Sequence, residues 1–273
     1  MDSQQAEINS RVWRTRDNVA DYANRSLRPV EIVLLMRYAQ ALSGRVLEAG
    51  CGAGRVLGYL VALGGDVHGI DVSRTMVDYC AHTYPEAAVR LGDLAALAES
   101  VTGPFDAVIV PDNTLDIFGD EQRRRVLSEI RELLAPGGLL IFSSHNLDHA
   151  DGRPEARGPA GARGRGGAML ARVAGLSPER AARAVIRLPR RRRNRRALVG
   201  LQQRADDHAI LNDSERDYGV LHYYIGRDAQ ERQLSSLGFE LVECLDVEGR
   251  PVARGAIGYG PWLHYVVRAA LGT

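Results

Sequence analysis

The chain has 273 residues, of which 45% are hydrophobic, enough to bury one large α/β core together with an insertion. No stretch reaches the ~18 apolar residues of a membrane span, and the N-terminus lacks the basic start and apolar run of a signal peptide. The cysteines match no zinc spacing and suit a reducing compartment; they are Cys51, Cys80 and Cys244. We therefore expect a soluble, cytoplasmic protein with small buried cysteines.

The net charge of +1 conceals an asymmetry along the chain. All 35 basic residues are arginine, and 15 of them lie in residues 151–204 against three acidic residues. This segment has an excess of +12, whereas the remainder of the chain is acidic. The sequence thus predicts a basic insertion on an acidic core.

The N-terminal part predicts two helices. Residues 9–24 carry Trp13, Tyr22 and alternating charges, typical of a short helix that lies over a pocket or packs on the surface. Pro29 then opens a helix over residues 30–42. Its apolar stripe consists of Ile32, Leu35, Met36 and Ala39.

The most informative stretch is residues 46–54, Val-Leu-Glu-Ala-Gly-Cys-Gly-Ala-Gly. It predicts a buried strand with an acidic residue at its end, a glycine-rich turn, and then a helix. Glycine suits such a turn because it accepts positive φ and lets a ligand lie against the backbone. A dinucleotide fingerprint would need its third glycine at Arg55, so a nicotinamide oxidoreductase is disfavoured.

Three more strands follow in a βαβ rhythm. Residues 66–71 form a strand that ends in Asp71, at the spacing that places a carboxylate near a nucleotide ribose. Residues 89–94 form a third strand and its turn, which ends in Gly92-Asp93-Leu94. Residues 105–110 are apolar after Asp106, as in a strand covered on both faces.

A helix is predicted over residues 120–134, with an arginine run, Arg123 to Arg125, expected on its solvated face. Its inward-facing residues are Val126, Leu127, Ile130, Leu133 and Leu134. Residues 134–143 then predict a helix end, a Pro-Gly-Gly turn and a fifth strand.

Together, the acidic residue before G-x-G-x-G, the acid at Asp71, the Gly-Asp-Leu ending and the L-x-P-G-G turn resemble class I S-adenosylmethionine (SAM) methyltransferases. The resemblance covers roughly residues 45–145. It implies a Rossmann-like, seven-stranded, mostly parallel α/β sheet whose last strand pairs antiparallel between the fifth and sixth. It also implies SAM as cofactor and S-adenosylhomocysteine (SAH) as product. The implied cofactor-binding residues are Tyr22, Glu48, Ala49, Gly50, Cys51, Gly52, Gly54, Asp71, Val72, Asp93, Leu94, Pro111 and Asp112.

The pattern breaks after the fifth strand, where the arginine-rich insertion begins. Residues 157–167 are of low complexity and predicted to be mobile. Ser177-Pro178-Glu179 opens a helix over 178–188, expected with residues 218–225 to cover the acceptor pocket as a lid or docking surface. We expect a single domain in four parts. Residues 1–43 cover the cofactor pocket, 44–147 form the core, 148–217 are the insertion, and 218–273 complete the sheet. The last part contains a helix at 227–237 and strands at 239–245 and 262–267.

Candidate catalytic residues lie at strand ends, where ligands bind in open parallel sheets. They are His145, His222 and Asn113, with Asn146, Tyr223 and Tyr224 as candidate substrate contacts. Histidine suits proton removal near neutral pH, although a structural role for His145 and His222 stays open. We interpret His68, His82, His149 and His208 as structural. A metal site formed by Asp112, His145 and Asn146 lacks matching motif acids, so no metal is expected.

The predicted function is methyl transfer to oxygen or nitrogen of a small-molecule or peptide acceptor, with a role in specialised metabolism and an anionic acceptor as options. One alternative is an RNA methyltransferase that uses the arginines for phosphate contacts. Nucleic acid is not favoured, because the arginines are not interleaved with aromatic residues for base stacking. A SAM-binding protein without catalysis is the other alternative.

Overall fold

The computed structural model describes residues 5, 7–9, 11–12, 19–151, 178–256 and 259–270. The predictions for Trp13, residues 157–167 and Ser177 lie outside the described residues. The strands are β1 Arg45–Ala49, β2 Asp66–Asp71, β3 Ala88–Leu91, β4 Phe105–Val110, β5 Leu134–Asn146, β6 Gln203–Arg204, β7 His208–Leu211, β8 His222–Ile225, β9 Phe239–Leu245 and β10 Trp262–Ala269. The helices are α1 Ala20–Ala23, α2 Pro29–Arg37, α3 Ala39–Leu42, α4 Leu57–Ala62, α5 Arg74–Thr83, α6 Leu97–Ser100, α7 Asp120–Leu133, α8 Leu147–Asp151, α9 Pro178–Leu198 and α10 Arg227–Ser236.

Seven of the strands form the sheet that the sequence predicts. Their order is β3-β2-β1-β4-β5-β10-β9, and the strands from β3 to β5 run parallel. β10 pairs antiparallel with β5 on one side and with β9 on the other. The predicted Rossmann-like arrangement, with a last strand reversed between the fifth and sixth, is confirmed.

Three further strands branch from the carboxyl end of β5. β8 runs parallel to the last two residues of β5, so that His145 pairs with Tyr224 and Asn146 with Ile225. β7 and β6 then continue this branch as antiparallel neighbours. The branch therefore brings residues 203–225 to the edge of the sheet where the parallel strands end.

Both faces of the sheet are covered. Successive side chains of a strand point to opposite sides, and each side contributes to a buried cluster. Leu47 and Val108 belong to one buried cluster, whereas Val46 and Ala107 belong to another. The inward-facing residues predicted for α7 are buried, as are the three free cysteines. Among the described helices, none has the length and apolar run needed to cross a membrane.

The predicted apolar stripe of the helix after Pro29 is wrong at two residues. Ile32 is 46% exposed and Met36 is 76% exposed, because α2 instead buries Val30 and Leu34 and turns Glu31 inward to pair with Arg55. The predicted single helix is also divided at Tyr38 into α2 and α3.

Arg123, placed on the solvated face of α7 by the sequence, is completely buried. The physical reason is a buried carboxylate, Asp116, whose Oδ1 accepts a hydrogen bond from Nη1 of Arg123 at 2.5 Å. Arg125, two residues further on, has a side chain that is 61% exposed.

Candidate active site

A cavity of about 760 Å³ opens at the carboxyl ends of the central parallel strands, where open α/β sheets bind ligands. The loops after β1, β2, β3 and β4 border it, and so do the end of β5 and the loop before β8. Fourteen of the site residues proposed from the sequence line this cavity: Tyr22, Glu48, Gly50, Cys51, Gly52, Asp71, Val72, Asp93, Leu94, Pro111, Asp112, Asn113, His145 and His222. The structure thus brings most of the predicted site together.

The three glycines of the turn after β1 have different tasks. All have positive φ, 82° at Gly50, 54° at Gly52 and 77° at Gly54, a conformation that disfavours other residues. A Cβ at Gly52 would meet no atom within 4 Å, whereas a Cβ at Gly54 would lie 2.5 Å from the Tyr84 ring. Gly54 therefore allows α5 to pack closely, and it lies outside the cavity lining, as does the core residue Ala49.

Three acidic side chains border this half of the cavity. Asp71 braces the glycine turn, because its carboxylate accepts from the backbone N–H groups of Gly52 and Ser73 at 2.8 Å each. Glu48 is 1% exposed, and its Oε2 has no hydrogen-bond partner. Burial raises the pKa of Glu48 well above its usual value, and Arg55 opposes this only in part. Asp93 accepts from the N–H of Ala95 at 2.9 Å.

Asp112 belongs to a salt-bridge network at the floor of the cavity. Its Oδ1 lies 2.6 Å from Nη1 of Arg28 and 3.1 Å from Nη2 of Arg55. Burial would raise the pKa of Asp112, but Arg55 and Arg28 outweigh burial and lower it. The guanidinium of Arg28 also lies 4.2 Å from the centre of the Trp262 ring. Asp112 is thus engaged by Arg28 and Arg55, and Nη1 of Arg25 lies 4.0 Å from its Oδ2.

His145, at the end of β5, is held by a buried aspartate. Nδ1 of His145 lies 2.7 Å from Oδ2 of Asp116, and the backbone N–H of His145 donates to the same oxygen at 2.6 Å. Because the acceptor is a carboxylate, Nδ1 carries the proton of this contact, and Nε2 is left to accept one. Nδ2 of Asn113 lies 3.4 Å from Nε2, at the cavity wall.

Arg123 and its partners keep Asp116 ionised behind the histidine. Burial alone would raise the pKa of Asp116, but Arg123 and the contacts from His145 outweigh burial and lower it. The hydroxyl of Ser144 donates to Oδ1 of Asp116 at 2.8 Å, and Nη2 of Arg123 donates to Gln230 at 2.7 Å. This network fixes the orientation of the imidazole of His145.

A second histidine with its own aspartate lies beside the first. Nδ1 of His222 is 2.7 Å from Oδ2 of Asp213, and the hydroxyl of Tyr224 donates to the same oxygen at 2.8 Å. The rings of His145 and His222 stack, with centroids 4.8 Å apart and planes inclined by 21°. Burial alone would lower the pKa of His222, but Asp213 and, more weakly, Glu215 raise it to about 9.

The loop before β8 reaches the cavity in a strained conformation. Arg216, Asp217 and Tyr218 are consecutive residues with positive φ, and Glu215 and Arg216 line the cavity. Helix α9 holds this loop: Nε of Arg187 donates to Asp217 at 2.9 Å. Arg191 and Arg195 lie over the Tyr218 ring. Backbone strain of this kind accumulates at functional sites, where the surroundings enforce it.

The three residues predicted to contact the substrate do not line the cavity. Nδ2 of Asn146 donates to the backbone oxygen of Tyr259 at 2.6 Å and so anchors the loop before β10. The hydroxyl of Tyr223 donates to Asp120 at 2.6 Å within a buried network. Tyr224 packs on His145, with ring centroids 4.8 Å apart, and supports Asp213.

The sequence did not identify several residues that the structure brings to the site. These are Arg25, Arg28, Asp116, Arg123, Asp213, Glu215, Arg216 and Trp262. Asp116 could have been suspected, since it follows Asn113 in the loop after β4. The pairing of Asp213 with His222 depends on the β7–β8 hairpin register, which no local pattern indicates.

The fold and cavity define an α/β protein with a glycine turn suited to a nucleotide-like ligand and a histidine pair in the same cavity. Residues 46–138 match the family model of a methyltransferase domain. Over this part of the chain, the resemblance to class I SAM-dependent methyltransferases is confirmed.

One relative is a probable SAM-dependent methyltransferase of Mycolicibacterium smegmatis, 30% identical over 42% of this chain and 43% of its own. The chain thus spans less than half the length of this curated relative. The CcbJ methyltransferase from Streptomyces caelestis has a TM-score of 0.58 at 20% identity, over 94% of this chain and 97% of its own. The 1,6-didemethyltoxoflavin-N1-methyltransferase of Burkholderia thailandensis, solved with bound 1,6-didemethyltoxoflavin and SAH, has a TM-score of 0.58 at 13% identity, over 99% of this chain and 91% of its own. These two structures share the fold.

Proposed function

We propose that the chain transfers a methyl group from SAM to an oxygen or nitrogen of a small-molecule or peptide acceptor. One observation carries the proposal: the His145–Asp116 pair opens into the same cavity as the glycine turn after β1. A base and a cofactor turn in one cavity are what methylation of a proton-bearing acceptor needs.

The residues around the glycine turn fit SAM. The unpartnered Oε2 of Glu48 suits a cationic donor such as the amino group of SAM, which would also favour the ionised carboxylate. In this proposal Asp71 accepts from ribose hydroxyls and Asp93 accepts from the adenine amine. Bound SAM supplies a methyl group on a positively charged sulfur.

On the acceptor side, Asp116 keeps the proton on Nδ1 of His145 and so leaves Nε2 as the base. Asn113 lies next to this atom and is positioned to orient the acceptor. Its side chain is buried and its Oδ1 has no hydrogen-bond partner, so it offers the acceptor a further polar contact. The chemistry then needs only attack geometry and removal of one proton.

Helix α9 and residues 213–225 form the cover of the acceptor end in this proposal. Four arginines of α9 engage the strained loop: Arg187 and Arg190 face Asp217, and Arg191 and Arg195 face Tyr218. These contacts give the arginines a role within the chain itself. They favour a small-molecule or peptide acceptor over RNA.

Methyl-labelled SAM and a panel of phenols, amines and short peptides test the proposal. We expect SAH to bind by calorimetry and a member of the panel to gain label. His145→Gln should lower turnover by about a hundredfold or more and leave SAH affinity unchanged. His208→Gln is the matched control, since His208 also contacts an aspartate, Asp207 at 2.6 Å, but lies outside the cavity lining. Equal losses in both variants would contradict the role of His145.

A further inference from the structure

The proposed function leaves a second buried, charged histidine without a task. His222 is 2% exposed, borders the cavity and has its own carboxylate partner, Asp213. Any role of His222 toward the acceptor rests on the proposed function, because both concern the same cavity.

His222 is an imidazolium at neutral pH. Asp213 and Glu215 of the preceding loop face it, together with Tyr224 of its own strand, His145 of β5 and, behind that ring, Asp116. The pKa of His222, raised to about 9 chiefly by Asp213 against the effect of burial, means that both ring nitrogens carry protons. Nδ1–H is taken by Asp213, so Nε2–H is the donor that remains.

The same cluster has the residue types of a metal site. His145, Asp213 and His222 offer ligand atoms within 4.8 Å of one another. However, Oδ2 of Asp213 already accepts two hydrogen bonds. The nitrogen lone pairs of the two stacked rings also lie in separate, nearly parallel planes, which does not favour one shared ligand position. A metal also requires neutral imidazole, whereas His222 keeps both protons. The cluster is arranged to hold a proton.

The stacked pair discriminates between acceptors by charge. When His145 accepts a proton, a second positive charge arises 4.8 Å from the ring of His222, and like charges repel. With a hydroxyl acceptor, the O–H bond breaks, the proton goes to Nε2 of His145 and the electron pair stays on oxygen. An anion then forms beside the two cations. A protonated amine would instead enter as a cation and leave a neutral group, so Asp116 and Asp213 alone would offset the two imidazolium charges.

We propose that the stacked histidine pair makes this end of the cavity selective for an acidic hydroxyl, of the phenol or enol class, whose oxyanion the imidazolium of His222 stabilises. Nε2 of His222 lies 3.9 Å from Oε2 of Glu215, an ion pair that is too long for a hydrogen bond. Because His222 lines the cavity, the proton on Nε2 is open to an entering oxygen. The Trp262 ring, perpendicular to His145 at 6.1 Å, borders the same end and provides a flat wall for a planar acceptor.

A coloured phenol provides the test. 4-Nitrophenol is added to the full chain saturated with SAH between pH 5 and 8, and phenolate absorbance is recorded. In the wild type, bound probe should ionise about one pH unit or more below free probe. His222→Gln should abolish this shift, a loss of about tenfold in the ionisation constant, while His208→Gln should retain it. Benzylamine, a protonated amine of similar size, should not displace the probe.

Each outcome bears on one proposal. Selectivity for an acidic hydroxyl is overturned if the bound probe ionises as it does in free solution or if benzylamine displaces it. It is also overturned if the probe does not bind at about 10 mM. Failure of the wild type to bind SAH in calorimetry overturns the proposed function instead. If His222→Gln does not fold, Asp213→Asn lowers the charge on the ring with little change of shape and should also lose the shift. A shift retained in the folded Asp213→Asn variant overturns the proposal.

Discussion

The two halves of the cavity are assembled in different ways. The half at the glycine turn takes Glu48, Gly52, Asp71 and Asp93 from a continuous stretch of chain, and its geometry depends mainly on backbone conformation. The half at the histidine pair takes Asp116, His145, Asp213 and His222 from distant segments, joined by buried charged hydrogen bonds. Local sequence thus builds the cofactor half, whereas tertiary contacts build the acceptor half.

This difference has an energetic consequence. The glycine turn depends on few side chains, chiefly the Asp71 carboxylate that accepts from Gly52 and Ser73, because its glycines supply most of the backbone geometry. A buried ion pair does not, since removal of one partner leaves the other charge uncompensated in a medium of low polarity. The acceptor half is therefore expected to be the more sensitive to mutation and to pH.

The largest expected effect is that of Arg123→Met, which leaves Asp116 buried without its cation. Unfolding in urea should show a loss of about 3–5 kcal/mol in stability. Arg125→Met, in the same helix but on an exposed side chain, should cost below about 1 kcal/mol. Similar losses in the two variants would mean that the buried network does not support this half of the cavity.

Next in size is the pH dependence of stability that His222 introduces. The folded chain keeps its proton up to pH about 9, whereas the unfolded chain releases it near pH ~6.5, so the folded state binds more protons between these values. The free energy of unfolding should therefore fall as pH rises from about 6.5 to 9, by up to about 3 kcal/mol more in the wild type than in His222→Gln. Parallel profiles of the two proteins would show that His222 is not charged at neutral pH.

The smallest expected effect lies in the cofactor half. Asp71→Ala should weaken SAH binding by about 2 kcal/mol, roughly 30-fold, because it removes the charge-assisted hydrogen bonds proposed to the ribose and the brace on Gly52. Asp66→Ala, at the exposed start of the same strand, is the control and should bind SAH as the wild type does. Calorimetry at one pH separates the two. Unchanged affinity in Asp71→Ala would remove this carboxylate from the cofactor site.

Sequence reasoning succeeded where one segment contains its own explanation. The bounds of β2, β4 and β9 match the predicted ranges, because period and flanking turns define these strands locally. It failed at Arg123, since a run of three arginines looks solvated until Asp116 from another element is placed beside it. It also could not find Asp213, which reaches His222 only through the pairing of β7 with β8. The predicted roles of His145 and His222 stay predictions.

Strand β10 is the last of the described strands, yet it lies between β5 and β9. While the ribosome is still making the chain, β5 therefore has one unpaired edge opposite the residues that β10 will later join. Such an edge readily captures a strand from another nascent chain. The sheet closes only once Trp262–Ala269 has emerged, so slow synthesis of the preceding loop would prolong the period in which the protein is prone to aggregate.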